Sequence, residues 1–270
     1  MPKLPNIPAP PLPGPLQEPP PRPGEHNGAG GPLEDAKQAG ITTVAWLDER
    51  TSLSGAARWM MFRKVPKGTN WFYTLGSATM FAFLNQAVTG VFLAMYYRPE
   101  AGGGAYESVR YLTNDVFLGQ FVRGMHKWGA SVMVVLVFVH MGRTFFFGAY
   151  KYPRELNWVI GVVLLILTMA MSFTGYLLPF DERAYWATTV GVNINGTGPL
   201  IGPYLSDFLR GGAEIGATTL SRFYAIHMLL IPGLLIALIG AHLYLVAKLG
   251  TTAPPWKQSQ KRRELHEAEV

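Results

Sequence analysis

The chain has no cysteine. That excludes disulfides, a thiolate-held iron–sulfur cluster and a thioether-linked prosthetic group within it. Charge is scarce as well, 15% of 270 residues against 49% hydrophobic. Soluble domains carry about 25% charged residues. With long apolar runs recurring, the composition excludes an ordinary soluble core and points to an integral membrane protein. Acids are fewer than bases, 17 against 23, leaving a net charge of +6. Such an excess suggests nucleic-acid binding only if the apolar runs are ignored; its distribution follows membrane topology instead. Residues 1–41 lack the apolar run of a signal peptide, so they do not read as a secretion signal. They hold 12 of the 21 prolines and read as a disordered Pro-rich tail that cannot bury a core.

What is present is organised around histidines. The apolar stretch FVRGMHKWGASVMVVLVFVHMGRTFFF, Phe121 to Phe147, carries His126 and His140, and RFYAIHMLLIPGLLIALIGAHLYLV, Arg222 to Val246, carries His227 and His242. An ionisable group at membrane depth is expensive and needs a partner or a purpose. The spacings are 14 and 15 residues. At about 100° and 1.5 Å per residue, each pair lies within about 60° of one helix face and ~21 Å apart. A lone membrane histidine is more often a polar contact or a proton-relay member. Two matched pairs at two depths have the geometry for two stacked haems, each iron held by one histidine from each helix. The other histidines, His26 and His266, sit in polar tails.

The reading in chain order is an all-α membrane protein. After the tail, residues 42–250 form one domain. It opens with an amphipathic surface helix from Thr42 to Lys67, in which Trp46, Leu47, Leu53, Trp59, Met60, Met61 and Phe62 alternate with Arg50, Arg58, Arg63 and Lys64. Four spans follow: Trp71 to Tyr97, the first histidine stretch, Leu156 to Leu178, and Arg222 to Ala247. Each exceeds the roughly 20 residues a bilayer core requires. A long loop from Pro179 to Thr219 separates the last two, and residues 251–270 form a basic, polar tail.

Basic residues cluster before the first span, in the turn from Lys151 to Arg154, and after the fourth span from Lys248 to Arg263. The opposite loops carry only Arg98, Arg110, Arg183 and Arg210. The positive-inside rule therefore puts both termini in the cytoplasm, with a bacterial cytoplasmic membrane as the expected location. The two histidine spans then run parallel. This pairs His126 with His227 near the outer face and His140 with His242 near the inner face.

Other residues fit the same period. Gly76 and Gly90 in the first span, and Gly161 and Gly175 in the third, are again 14 apart, and a flat macrocycle approaching a helix needs residues without side chains. Ordinary small-residue packing is the competing explanation. Arg123 and Arg143 lie one turn beyond His126 and His140, placed for propionates at each face or for snorkelling to headgroups. Pro232 removes a backbone donor between the second pair, where a bend accommodates the 15-residue interval.

Assembled, the motifs FYTLGS, VTGVFLAMYYRPE, HKWGAS, HMGR, KYPRELNWVIGVVL, TGYLLPFDERAYWA and LSRFYAIH resemble the cytochrome b6 family, the short four-span b-type cytochromes of b6f complexes. The resemblance covers about residues 44–255. The 15-residue interval favours this type over mitochondrial-type cytochrome b. The resemblance implies the di-haem subunit of a quinol oxidoreductase running a proton-translocating Q-cycle, with two non-covalent b haems and no activity alone. It implies a quinol pocket around Tyr176, Leu178, Pro179, Phe180, Tyr185 and Trp186; Lys248 and Asp48 are candidates for a quinone site at the inner face.

Two departures from the family stand out. The cysteine that carries an extra covalent haem in cytochrome b6 is replaced by Thr74, so no covalent haem is expected. The acid-bearing Pro-Glu/Asp-Trp-Tyr motif appears nowhere. The resemblance therefore implies a second membrane subunit bearing that motif, a Rieske iron–sulfur protein and a c-type cytochrome or similar acceptor, in a dimeric complex. The rival readings are a haem-bearing membrane anchor of a dehydrogenase and a transporter with a histidine proton relay.

Overall fold

The computed structural model describes residues 32–52, 54–55 and 67–257, and among them every regular element is helical. The chain divides into two units, Met1–Lys64 and Val65–Val270.

In the first unit, α1 spans Pro32–Thr51. Residues 32–41, expected to belong to the tail, are helical. The segment LEDAKQA is made of good helix formers, and proline density further upstream masks that local preference. Thr42, Thr43 and Thr51 each return a hydroxyl proton to the carbonyl four residues back. Arg50 lies over the Trp46 ring at 4.2 Å, and Val44, Trp46 and Leu47 are exposed. Ser52 turns left-handed, and Asp48 accepts from the backbone and hydroxyl of Ser54. This local bond competes with helix continuation. The rest of the expected surface helix, from Arg58 through Lys64, lies outside the described residues, as does most of the C-terminal tail.

In the second unit, a 3₁₀ turn Trp71–Thr74 leads into α2, Leu75–Ala94. There follow α3 (Gly104–Asn114), α4 (Gly119–Phe146), α5 (Glu155–Leu177), α6 (Glu182–Gly196), α7 (Gly202–Arg210) and α8 (Ala217–Ala225). One turn of π-helix, Ile226–Leu230, joins α8 to α9, Ile231–Leu249. Among the described residues four stretches are long and apolar enough to cross a membrane: Trp71–Ala94, Gly119–Phe146, Glu155–Leu177 and Ala217–Leu249. Their outward faces are apolar, with Phe81, Val88 and Leu229 more than 70% exposed, as a lipid solvent requires.

The spans associate in pairs, α2 along α4 and α5 along α9. Each pair joins one glycine-bearing helix to one histidine-bearing helix. The connection from Pro179 to Thr219, read from sequence as a loop, contains α6 and α7. Asp181 caps α6 by accepting from the Ala184 amide at 2.8 Å. With α3 these helices close one end of the bundle over a core of Ala105, Leu177, Val192, Leu209, Leu220 and Phe223.

At the opposite end Arg154 donates to the Leu249 and Gly250 carbonyls at 3.1 and 3.2 Å, answering the free carbonyls that end α9. The Tyr73 hydroxyl donates to the Thr252 carbonyl at 3.0 Å, Trp256 meets Phe147 edge-on at 5.8 Å, and Pro254 is fully buried. Residues 251–257, expected to begin the polar tail, are thus docked on the bundle. Two aromatic and proline side chains supply the apolar contact that the basic residues beyond them obscure.

Tyr97 ties the helical cap to the spans by donating to the Leu178 carbonyl at 2.6 Å. Burial, and then the nearby Tyr224, hold its phenol above the ordinary value, which is about 10. Stability from the neutral phenol is therefore present in full below about pH 10 and is lost as pH rises beyond it. Tyr97→Phe should cost about 1 kcal/mol at neutral pH and flatten the alkaline fall of the thermal midpoint in detergent. Equal alkaline slopes for the two proteins would contradict this assignment.

Candidate functional site

The site is built from four imidazoles on two helices. His126 and His140 project from α4, His227 from the π turn and His242 from α9. The structure brings His126 opposite His227, with ring centres 6.4 Å apart and planes at 73°. It brings His140 opposite His242 at 6.5 Å and 80°. A metal between two imidazoles at bonds of about 2.0 Å sets ring centres roughly 6.4 Å apart.

The equal separation of the two pairs depends on the π turn. Fifteen α-helical residues would carry His242 about 100° past the phase of a 14-residue interval. The amide of Ile231 instead bonds the Ile226 carbonyl, five residues back, so the turn takes in one extra residue and restores the phase. Pro232 follows immediately. It has no N–H to offer the Met228 carbonyl, which favours opening the ladder there. The bend expected at Pro232 is thus a widened turn just before it.

Each histidine ring rests on a glycine of the paired helix. A Cβ added to Gly90 would lie 3.3 Å from His126 Cε1, on Gly76 3.2 Å from His140 Cε1, on Gly161 3.7 Å from His242 Cε1, and on Gly175 2.5 Å from His227 Cε1. The glycines expected to admit a macrocycle thus also lie against the imidazoles.

The δ nitrogens are held unequally. His227 Nδ1 lies 3.0 Å from the Met171 carbonyl and 3.3 Å from the Thr174 hydroxyl. A carbonyl only accepts, so Nδ1 carries the proton and Nε2 keeps its lone pair. His126 Nδ1 lies 2.8 Å from Thr89 Oγ1. The Nδ1 atoms of His140 and His242 are buried with no hydrogen-bond partner among the described residues. Thr89 and Thr174 escaped the sequence reading. Their signal was a Thr-Gly dipeptide in both glycine helices, against Leu75-Gly76 and Ile160-Gly161 at the other depth.

The donor set fits haem. Among the described residues no group of three or more His, Asp or Glu converges as a metal site. Two opposed neutral imidazoles suit a metal whose remaining ligands come with it, as in a macrocycle. Arg143 supports the fit at one end. Its guanidinium lies 3.9 Å from the Tyr73 ring centre and 4.9 Å from that of Phe147, with Nε and Nη2 buried and, among the described residues, without a hydrogen-bond partner. Open donors on a buried guanidinium suit a carboxylate. Arg123 instead donates to Thr113 at 3.2 Å and lines an open cavity of about 280 Å³ with Tyr106, Arg110, Asn114, Pro179 and Asp181.

The expected quinol-pocket residues divide. Leu178, Phe180 and Tyr185 pack against the core of the helical cap, Pro179 lines the cavity, and Tyr176 and Trp186 are exposed. Phe180 adopts φ +49°, a left-handed backbone costing on the order of 1–2 kcal/mol in a bulky residue. Lys248 approaches the Tyr244 ring at 5.8 Å, and Asp48 belongs to the first unit.

Comparison with known proteins follows the same residues. Residues 60–250 match the family model described as cytochrome b/b6/petB. The menaquinol:cytochrome c reductase cytochrome b subunit of Geobacillus thermodenitrificans is 44% identical over 217 residues, 77% of this chain and 96% of that protein. Cytochrome b6 of Heliobacterium modesticaldum is 42% identical over 211 residues, 77% of this chain and 99% of that protein. A solved chain from a hyperthermophilic respiratory Complex III aligns with a TM-score of 0.70 at 30% identity over 77% of this chain. This chain spans 55% of that one.

The glycine seats make a graded prediction. Gly175→Ala places a methyl 2.5 Å from His227, which must move, at a cost of about 1–3 kcal/mol. Gly161→Ala meets ordinary contact at 3.7 Å. Haem absorbance of the purified proteins should fall or change in ligation for Gly175→Ala and be retained in Gly161→Ala. Identical spectra would sink the seating role.

Proposed function

The chain belongs to the cytochrome b/b6 family, and on that premise we propose that it is the di-haem b subunit of a quinol:cytochrome c-type oxidoreductase working by a proton-translocating Q-cycle. The observation that carries this reading is the pair of facing imidazoles at two depths, with ring centres 6.4 and 6.5 Å apart. Two non-covalent b haems, when bound, would supply one-electron carriage between the membrane faces.

His126 and His227 would hold the outer haem, and His140 and His242 the inner one. The glycines Gly76, Gly90, Gly161 and Gly175 set the depth of each ring. Arg143 offers its buried donors to an inner propionate, and Arg123 stands at the outer face. A bis-histidine iron has no open position, so bond-making falls to quinone pockets beside it. For the outer pocket we propose Tyr176, Leu178, Pro179, Phe180, Tyr185 and Trp186. Thr74 donates its hydroxyl to the Trp71 carbonyl at 2.7 Å, inside its own turn, and has no thiol with which to anchor a further haem.

The menaquinol-oxidising function named for the Geobacillus relative agrees with this reading. The chain has no cysteine for a Rieske cluster and no Pro-Glu/Asp-Trp-Tyr acid. We therefore assign those parts to partners: a subunit IV-like membrane protein, a Rieske protein and a c-type acceptor, assembled as a dimer in a bacterial cytoplasmic membrane with both termini inside.

A redox titration of the purified complex tests the reading. The wild type should show two low-spin b haems per chain at separate potentials. His242→Leu should retain one and lose the inner. Two haems surviving in His242→Leu would overturn the pairing, and a haem-free wild type would overturn the function.

A further inference from the structure

Resting on the two-haem reading, we propose that Thr89 and Thr174 are positioning residues that hold both outer imidazoles as Nδ1 donors and so lower the potential of the outer haem relative to the inner.

The proton count carries the inference. Thr89 Oγ1 lies 2.6 Å from the Asn85 carbonyl, 3.3 Å from the Gln86 carbonyl and 2.8 Å from His126 Nδ1. The hydroxyl has one proton, and the carbonyls can only accept it. Its lone pair therefore faces the imidazole, which donates through Nδ1. Thr174 repeats the arrangement, with the Ala170 carbonyl at 2.9 Å, the Met171 carbonyl at 3.1 Å and His227 Nδ1 at 3.3 Å. At His227 the Met171 carbonyl at 3.0 Å imposes the same tautomer independently. A threonine bonding its own helix is commonplace. The histidine on the far side of the hydroxyl is what turns that habit into a device.

The other end of the bundle lacks the device. The residues preceding Gly76 and Gly161 are Leu75 and Ile160, which have no hydroxyl. Among the described residues, His140 Nδ1 is buried without a hydrogen-bond partner, and no hydroxyl reaches His242 Nδ1. The Asn157 carbonyl faces His242, so at this end a backbone carbonyl serves one ring at most and no hydroxyl serves either. An imidazole that donates through Nδ1 is a more basic ligand through Nε2. A more basic ligand stabilises ferric over ferrous iron, which lowers the potential. Two such ligands would act on the outer iron and at most one, His242, on the inner, a difference that would favour electron passage from the outer haem to the inner.

The test is a redox titration of both haems in the purified complex from wild type, Thr89→Val, Thr89→Ser and Thr174→Val. Valine keeps the shape and removes the hydroxyl; serine keeps the hydroxyl. Thr89→Val should shift the outer haem to higher potential and leave the inner unmoved, and Thr89→Ser should restore the wild-type value. Thr174→Val should give a smaller shift in the same direction, because His227 keeps the Met171 carbonyl. Two haems retained at wild-type potentials in both valine variants would overturn the proposal, as would equal shifts in both haems. If Thr89→Val loses the outer haem, Thr174→Val decides: a positive outer shift supports the role and no shift overturns it. A wild type with a single haem would count against the two-haem reading itself.

Discussion

Each of the four membrane-depth imidazoles lies with its Cε1 edge against a glycine of the neighbouring span, and that contact sets how the helices are shared out. An imidazole needs space beside it and an engagement for its polar atoms, since lipid offers neither water nor backbone partners. A glycine helix paired with a histidine helix supplies the space. Two such pairs, facing each other, leave the rings opposed. The pairing of α2 with α4 and of α5 with α9 follows from this need as much as from apolar packing, which in lipid gains little from hydrophobic burial.

The ends of the bundle are finished differently because they meet different tasks. One is closed by a helical cap with its own apolar core and a left-handed Phe180 at the exit of α5. The other is tied by Arg154 and Tyr73 onto the chain that follows α9. These ties hold the spans in register where the histidine helices begin and end, so the depth of each ring is fixed from both sides.

Much of this was legible in the residues. Apolar length announced the four spans, and the spacing of His126, His140, His227 and His242, with charge asymmetry, predicted which rings would meet. The 14-residue glycine period was visible, but not that each glycine would seat a ring, because period alone cannot say what lies opposite. Thr89 and Thr174 were passed over despite the Thr-Gly dipeptide they share, because a threonine within a membrane helix normally satisfies itself on the preceding turn. The helix content of residues 179–219 was hidden because glycines and prolines such as Gly196, Gly198, Pro199 and Gly202 break the segment, and its buried faces mix Val192 and Leu209 with small or polar residues such as Ala184, Thr188 and Ser206. Proline density at the amino end likewise concealed the start of α1.

The π turn at Ile226–Leu230 also bears on how this fold can change over generations. An inserted or deleted residue in a membrane helix normally rotates everything beyond it by about 100° and moves it by about 1.5 Å. In the last span the widened turn takes up one residue beside His227 and leaves His242 opposite His140. A lineage that trimmed this turn back to ordinary α-helix would shorten the span by one residue with both rings kept in place. The same edit made further along, between the turn and His242, would swing that ring about 100° away from His140. The turn is the joint at which the two length variants of this helix can interconvert without passing through a chain that has lost a ligand.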